Sequence, residues 1–155
     1  MSEKEEDYLK AIYRIVKNRG FARSVEIAEI LEVKPASVTD MLKKLQAKGF
    51  VIYEKYRGIL LTEKGREIAE KLFERETLIE EFFQIFGVEP KNANTIANKV
   101  EHYIDDESFE RIKKFVTFIR SFKTNPKWIE HFNEFIKTGK LPECERIKDE
   151  ERKEH

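Results

Sequence analysis

Residues 22–65 read ARSVEIAEILEVKPASVTDMLKKLQAKGFVIYEKYRGILLTEKG, and this stretch decides the fold. Val25, Ile27, Ala28 and Leu31 recur at helical spacing behind Ser24, whose hydroxyl suits a helix N-cap. Glu32-Val33-Lys34 makes a short turn, and Pro35 fits the first position of the next helix, where its missing N–H costs nothing. Val38, Met41, Leu42 and Leu45 give that helix a single apolar stripe, ended by Lys48-Gly49. Phe50-Val51-Ile52-Tyr53 and Ile59-Leu60-Leu61 are β-favouring runs around a turn with Gly58 near its tip, where a positive φ is useful. Two helices, a tight break and a basic hairpin predict a winged helix-turn-helix, which presents a helix and a β-wing to duplex DNA.

On the N-terminal side, Tyr8, Ile12, Tyr13, Ile15 and Val16 recur at helical spacing, and Gly20 suits the C-cap of that first helix. On the C-terminal side, Thr62 opens a long helix carrying Ile68, Leu72, Phe73, Leu78, Ile79, Phe82, Phe83 and Phe86 as far as Gly87. Further helices are expected near 91–105, 107–122 and 126–138. Ten of the twelve Phe lie beyond residue 62, more than a three-helix tail needs for its own core, so part of the set is expected to form a subunit interface. An intrachain core is the competing reading. The fold class is therefore mainly α: a winged helix-turn-helix DNA-binding domain over residues 1–62, an all-helical dimerisation domain over 63–140, and a charged tail over 141–155.

Thirty basic residues balance thirty acidic ones in the 155-residue chain, so only local charge can argue for nucleic acid. Residues 11–62 carry ten Lys or Arg against five acids, and the rest is acidic by the same margin. A single cysteine, Cys144, excludes an intramolecular disulfide framework and a multi-cysteine zinc site. No signal-peptide core or bilayer-length apolar run is visible, which makes a soluble cytosolic protein the expectation. No nucleophile-base pairing, glycine-rich phosphate loop or paired acid-base carboxylates stand at a recognisable spacing, so enzyme activity has no support.

A helix entering the major groove offers its first turns to base edges and its later basic residues to phosphates. Ala36, Ser37, Thr39 and Asp40 occupy the first turns here: the small residues allow close approach, the hydroxyls can donate, and Asp40 can accept from a cytosine amino group. Lys43, Lys44, Lys48, Lys55 and Arg57 follow as a cluster of cations on helix and wing. A winged helix that docks protein is the alternative, set below DNA binding because the basic excess coincides with both elements. Tyr53 and Tyr56 are expected to pack in the hairpin rather than to stack on bases.

Asn98, Glu101 and His102 stand at i, i+3 and i+4 of a helical register, which puts all three on one face. A carboxylate, an imidazole and an amide carbonyl within one turn can share a divalent ion. From EEDYLKAIY through the wing VIYEKYRGILLTEKG to REIAEKLFERETLIEEFFQIFGV and VEHYI, the chain resembles the iron- and manganese-dependent repressors, the diphtheria toxin repressor and manganese transport regulator family. The resemblance spans roughly residues 5–122 and is closest to short members without an SH3-like domain. It implies a homodimer that binds a palindromic operator when a divalent metal, Mn²⁺ or Fe²⁺, sits between the two domains. It also implies ligand positions at Asp7, Glu101 and His102, with Asn98, Glu76 and Glu80 at further family positions. Lys10 replaces a carboxylate of manganese-type members. Two readings follow. Either Asp7, Asn98, Glu101 and His102 hold one ion, or Lys10 pairs with Glu76 or Glu101 as a built-in cation and DNA binding needs little metal or none. A helical metal-binding protein that does not touch DNA is a third possibility.

Overall fold

The computed structural model describes residues 1–54 and 56–141. Lys55 and residues 142–155, which include most of the expected charged tail, lie outside the described residues. Helix α1 (Glu3–Arg19) opens on a capping box in which Ser2 and Glu5 satisfy each other's backbone N–H groups, and it closes on Gly20 at φ 86°. Helix α2 (Ser24–Leu31) is capped differently from expectation. Ser24 is its first helical residue, and the side chain of Glu26 accepts the Arg23 N–H at 2.9 Å. Glu32 turns the chain at φ 52°, and Pro35 opens α3 (Pro35–Ala47).

Strands β1 (Val51–Glu54) and β2 (Gly58–Leu61) form the wing, with Val51 opposite Leu61 and Tyr53 opposite Ile59. Ala22 extends the sheet, exchanging two backbone hydrogen bonds with Ile59 at 2.8 and 2.9 Å. Gly58, at φ 84°, passes so close to Ala22 that a Cβ would stand 2.8 Å from its carbonyl oxygen. Tyr56 at the tip is 93% exposed, which corrects its expected packing role.

Helix α4 (Glu63–Ile85) is capped by Thr62, whose hydroxyl accepts the Gly65 N–H at 3.0 Å. Then come α5 (Pro90–Val100), a 3-10 turn (Glu101–Tyr103), α6 (Asp106–Arg120) and α7 (Lys127–Thr138). The helix expected over 91–105 thus stops at 100. Ile104 is extended and Asp105 caps α6 by accepting the Ser108 N–H at 2.8 Å, which ends one helix and starts the next.

Two apolar cores result. Leu9, Ile12, Ile27, Val38, Leu42, Leu45, Val51 and Ile59 fill the winged unit, closed by Ala69 and Phe73 of α4. Leu78, Ile79, Ala97, Phe109 and Val116 fill the helical unit. Both cores share α4, and between them that helix buries Glu76. Phe118 of α6, Phe122 just past its end, and Trp128, Phe132, Phe135 and Ile136 of α7 leave an exposed apolar set, in line with the expected surplus over an intrachain core.

Candidate metal centre and nucleic-acid interface

The seam between the two cores is ionic. Four charged side chains are buried in the described residues, Glu5, Lys10, Glu76 and Glu101, and the last three meet. Asp7, Lys10 and Arg14 share one face of α1 at i, i+3 and i+7. The Lys10 ammonium reaches Glu76 Oε2 at 3.0 Å and Asp7 Oδ1 at 3.3 Å and donates a hydrogen bond to Glu101 Oε1. Arg14 donates to the other oxygen of Glu76. Burial alone would lower the Lys10 pKa, but the carboxylates of Glu101 and Glu76 outweigh it and raise the value, so the ammonium stays charged.

His102 approaches from the other side. Its Nε2 lies 3.7 Å from Glu101 Oε1 and 3.9 Å from Asp7 Oδ1, while Nδ1 lies 3.2 Å from Glu6 Oε2. The ring thus turns Nδ1 toward Glu6 and Nε2 toward Asp7 and Glu101, the orientation a ligating histidine takes beside an outer carboxylate. One donor atom from each of Asp7, Glu101 and His102 lies within 4.8 Å of the others. Donors about 2.1 Å from a shared ion lie about 3–4.2 Å apart, so small rotations suffice. Asp7 Oδ1 and Glu101 Oε2 are buried and accept no hydrogen bond. The carboxyl groups of Glu6, Asp7, Glu76 and Glu101 gather around Lys10, Arg14 and His102, so the seam is rich in oxygen donors. The residues fit one divalent ion.

The other expected ligand positions lie around this cluster. Asn98 lines a polar cleft of about 320 Å³ together with Asp7, Lys10 and Glu76 of the seam, whereas His102 opens onto a different hollow beside Glu3 and Glu6. Glu76 is taken by Lys10 and Arg14. Glu80 accepts from Asn94 and Gln84, both at 3.0 Å, and does not join the cluster. Glu6 and Arg14 were missed from the sequence. The row Asp7, Lys10, Arg14 was the available signal for Arg14, but nothing local distinguishes Glu6 from a solvated acid.

The candidate DNA-facing residues divide into two stripes. Ala36, Thr39 and Lys43 share the outer side of α3, although the Thr39 hydroxyl also donates back to Pro35 O at 3.3 Å. Ser37, Asp40 and Lys44 instead border a hollow against Lys4, Asp7 and Tyr8 of α1. Lys44 and Lys48 reach the buried carboxylate of Glu5 at 3.0 and 2.7 Å, yet each side chain keeps about half its surface in solvent. Those two ammoniums hold Glu5 at a pKa of about 2, Lys48 contributing most. Arg57 at the wing tip is 80% exposed.

The chain was compared with known proteins. Residues 1–59 match the iron dependent repressor N-terminal DNA binding domain, and residues 62–128 match the iron dependent repressor metal binding and dimerisation domain. It is 39% identical over 140 residues to the HTH-type transcriptional regulator MntR of Shouchella clausii, an alignment covering 90% of this chain and 96% of that one. Its fold is similar to the manganese regulator SloR, with TM-score 0.65, 32% identity and coverage of 81% of this chain and 58% of that one. A structure of ScaR with bound Zn²⁺ gives TM-score 0.60 and 33% identity over 74% of this chain and 54% of that one. The chain thus spans a little over half the length of these solved structures.

Proposed function

The chain belongs to the iron-dependent repressor family of metal-responsive, DNA-binding transcriptional regulators, and on that premise we propose that Asp7, Glu101 and His102 form its metal site and that α3 and the wing form its DNA surface. It represses metal-ion homeostasis genes as a homodimer on operator DNA, and it is a regulator rather than an enzyme. The observation that carries the site is the convergence of an α1 carboxylate with two side chains 94 and 95 residues further along the chain.

A bound divalent ion supplies an electrostatic cross-link between the winged unit and the dimerising unit. Asp7 contributes the winged unit's end of that link, and Glu101 and His102 contribute the other, while Glu6 fixes the histidine ring. Holding α1 fixed also fixes α3, because Glu5 pairs with Lys44 and Lys48. The two wings of a dimer are then set at one spacing, which suits a palindromic operator. Oxygen donors with one nitrogen suit Mn²⁺ or Fe²⁺, consistent with relatives named as manganese regulators, whereas Asn98, Glu76 and Glu80 are left as supporting residues. Ala36, Thr39 and Lys43 are the proposed groove-facing residues, with Ser37, Asp40, Lys44, Lys48 and Arg57 flanking them. Among the described residues no helix is long and apolar enough to cross a membrane, and a cytoplasmic location is the reading that suits a regulator acting on DNA.

The test is operator affinity by fluorescence anisotropy, on duplexes selected from a random pool in Mn²⁺, measured with Mn²⁺ and with chelator. Wild type should bind tighter in Mn²⁺, and Asp7→Asn or His102→Ala should lose that gain. Equal affinity with and without chelator would refute metal gating of DNA binding while leaving the DNA surface intact.

A further inference from the structure

The ammonium of Lys10 is 2% exposed and lies among carboxylates from three elements: Asp7 of α1, Glu76 of α4 and Glu101 of the 3-10 turn. Burying one charge is prohibitive unless others compensate it, and a lysine stem of this length normally carries its head to water. Here the head points inward, to where α1 meets both α4 and the 3-10 turn. Three oxygens gathered around one buried positive centre is the arrangement a hard cation imposes.

We propose that Lys10 is a resident cation: its ammonium permanently occupies a cation position in the seam, so the protein takes up one divalent ion per protomer and folds with α1 packed on α4 without metal, while the ion adds the link from Asp7 to Glu101 and His102. This rests on the reading of Asp7, Glu101 and His102 as the ligands. Lys10 is a positioning residue, acting through Glu76 and Glu101 on the placement of α1.

The full chain, stripped with chelator, is titrated with Mn²⁺ by calorimetry, bound metal is counted by atomic emission after dialysis, and thermal unfolding is followed with and without Mn²⁺. Wild type should bind one Mn²⁺ per protomer and unfold cooperatively without metal. Lys10→Glu should bind two, with a lowered metal-free Tm that Mn²⁺ restores. Lys10→Met, which removes the charge but keeps the length, should bind its first ion at least about tenfold tighter, a neighbouring positive charge having gone. Lys10→Glu that gains no ion and is not restored by Mn²⁺ would overturn the proposal, as would wild type binding two. If Lys10→Glu folds in neither condition, unchanged Mn²⁺ affinity in Lys10→Met overturns it instead. Wild type taking up no ion would refute the Asp7, Glu101 and His102 site alone, and a single ion gained by Lys10→Glu would still uphold the resident cation.

Discussion

Glu5 on the first turn of α1 lies 2.7 Å from the ammonium of Lys48, the C-cap residue of α3, and this contact ties the helix of the candidate metal centre to the helix of the DNA surface. Glu5 is 1% exposed and also accepts the Ser2 N–H at 2.9 Å, so its carboxylate serves a cap and two lysines together. Metal-dependent placement of α1 therefore reaches α3 through a short polar path as well as through the apolar core.

The pH dependence follows from that contact. Glu5 titrates at about 2 when folded against an ordinary value of 4.5, so its ionised form stabilises the fold fully above about pH 4.5 and the benefit drains away as pH falls toward 2. Glu5→Gln should lower Tm at pH 7 by about 4 °C, from the loss of charge-assisted hydrogen bonds worth about 1–2 kcal/mol. Thermal melts from pH 7 down to pH 2.5 should show the gap to wild type closing. A gap that stays constant would mean that the carboxylate charge contributes nothing.

Gly65 is fixed by contact rather than by torsion. A Cβ there would stand 1.9 Å from the carbonyl oxygen of Phe50, which already accepts the Thr62 N–H at 3.0 Å and so cannot swing aside. Gly65→Ala should cost about 3 kcal/mol by displacing α4 from the wing. Gly139→Ala, at φ 69° with open space around it, should cost about 1 kcal/mol. Urea denaturation of the two variants checks the order.

Glu76 carries the seam on the α4 side. Glu76→Gln removes the partner of Arg14 and one of the three partners of Lys10, and should destabilise the chain by about 3 kcal/mol. The measured sign of failure is the urea midpoint: it should fall with the slope unchanged. An unaltered midpoint would show that Asp7 and Glu101 suffice to hold the ammonium.

The two stripes of α3 should separate in salt titrations of operator binding. Lys43→Ala removes a cation from the outer side and should reduce the slope of log affinity against log salt by about 1. Lys48→Ala, whose charge is shared with Glu5, should reduce it by less while lowering Tm. Equal slopes for both variants would place the two lysines alike on the phosphates.

Periodicity and turn chemistry made the winged unit legible from the chain: Gly20, Pro35, Gly58 and Thr62 each sit where their backbone preferences require. The same reasoning ran a helix through 101–105, because apolar spacing continues smoothly across a 3-10 turn while the interruption depends on Asp105 capping the next helix. That one break leaves Asn98 on α5 while Glu101 and His102 belong to the 3-10 turn. Ser24 went astray for a related reason, since Glu26 satisfied the helix start first.

The sequence by itself determined the element order, the wing, the basic surface and the residue types able to hold an ion, because each is written in spacings of a few residues. Only the tertiary structure decided that Lys10 and Glu101, 91 residues apart, share a hydrogen bond, that Glu80 turns away to Asn94, and that Lys48 answers to Glu5. Those pairings are set by how α1 packs against α4, the 3-10 turn and α3, and by how α4 packs against α5. Burial there leaves each charge only the partners that the packing brings within reach.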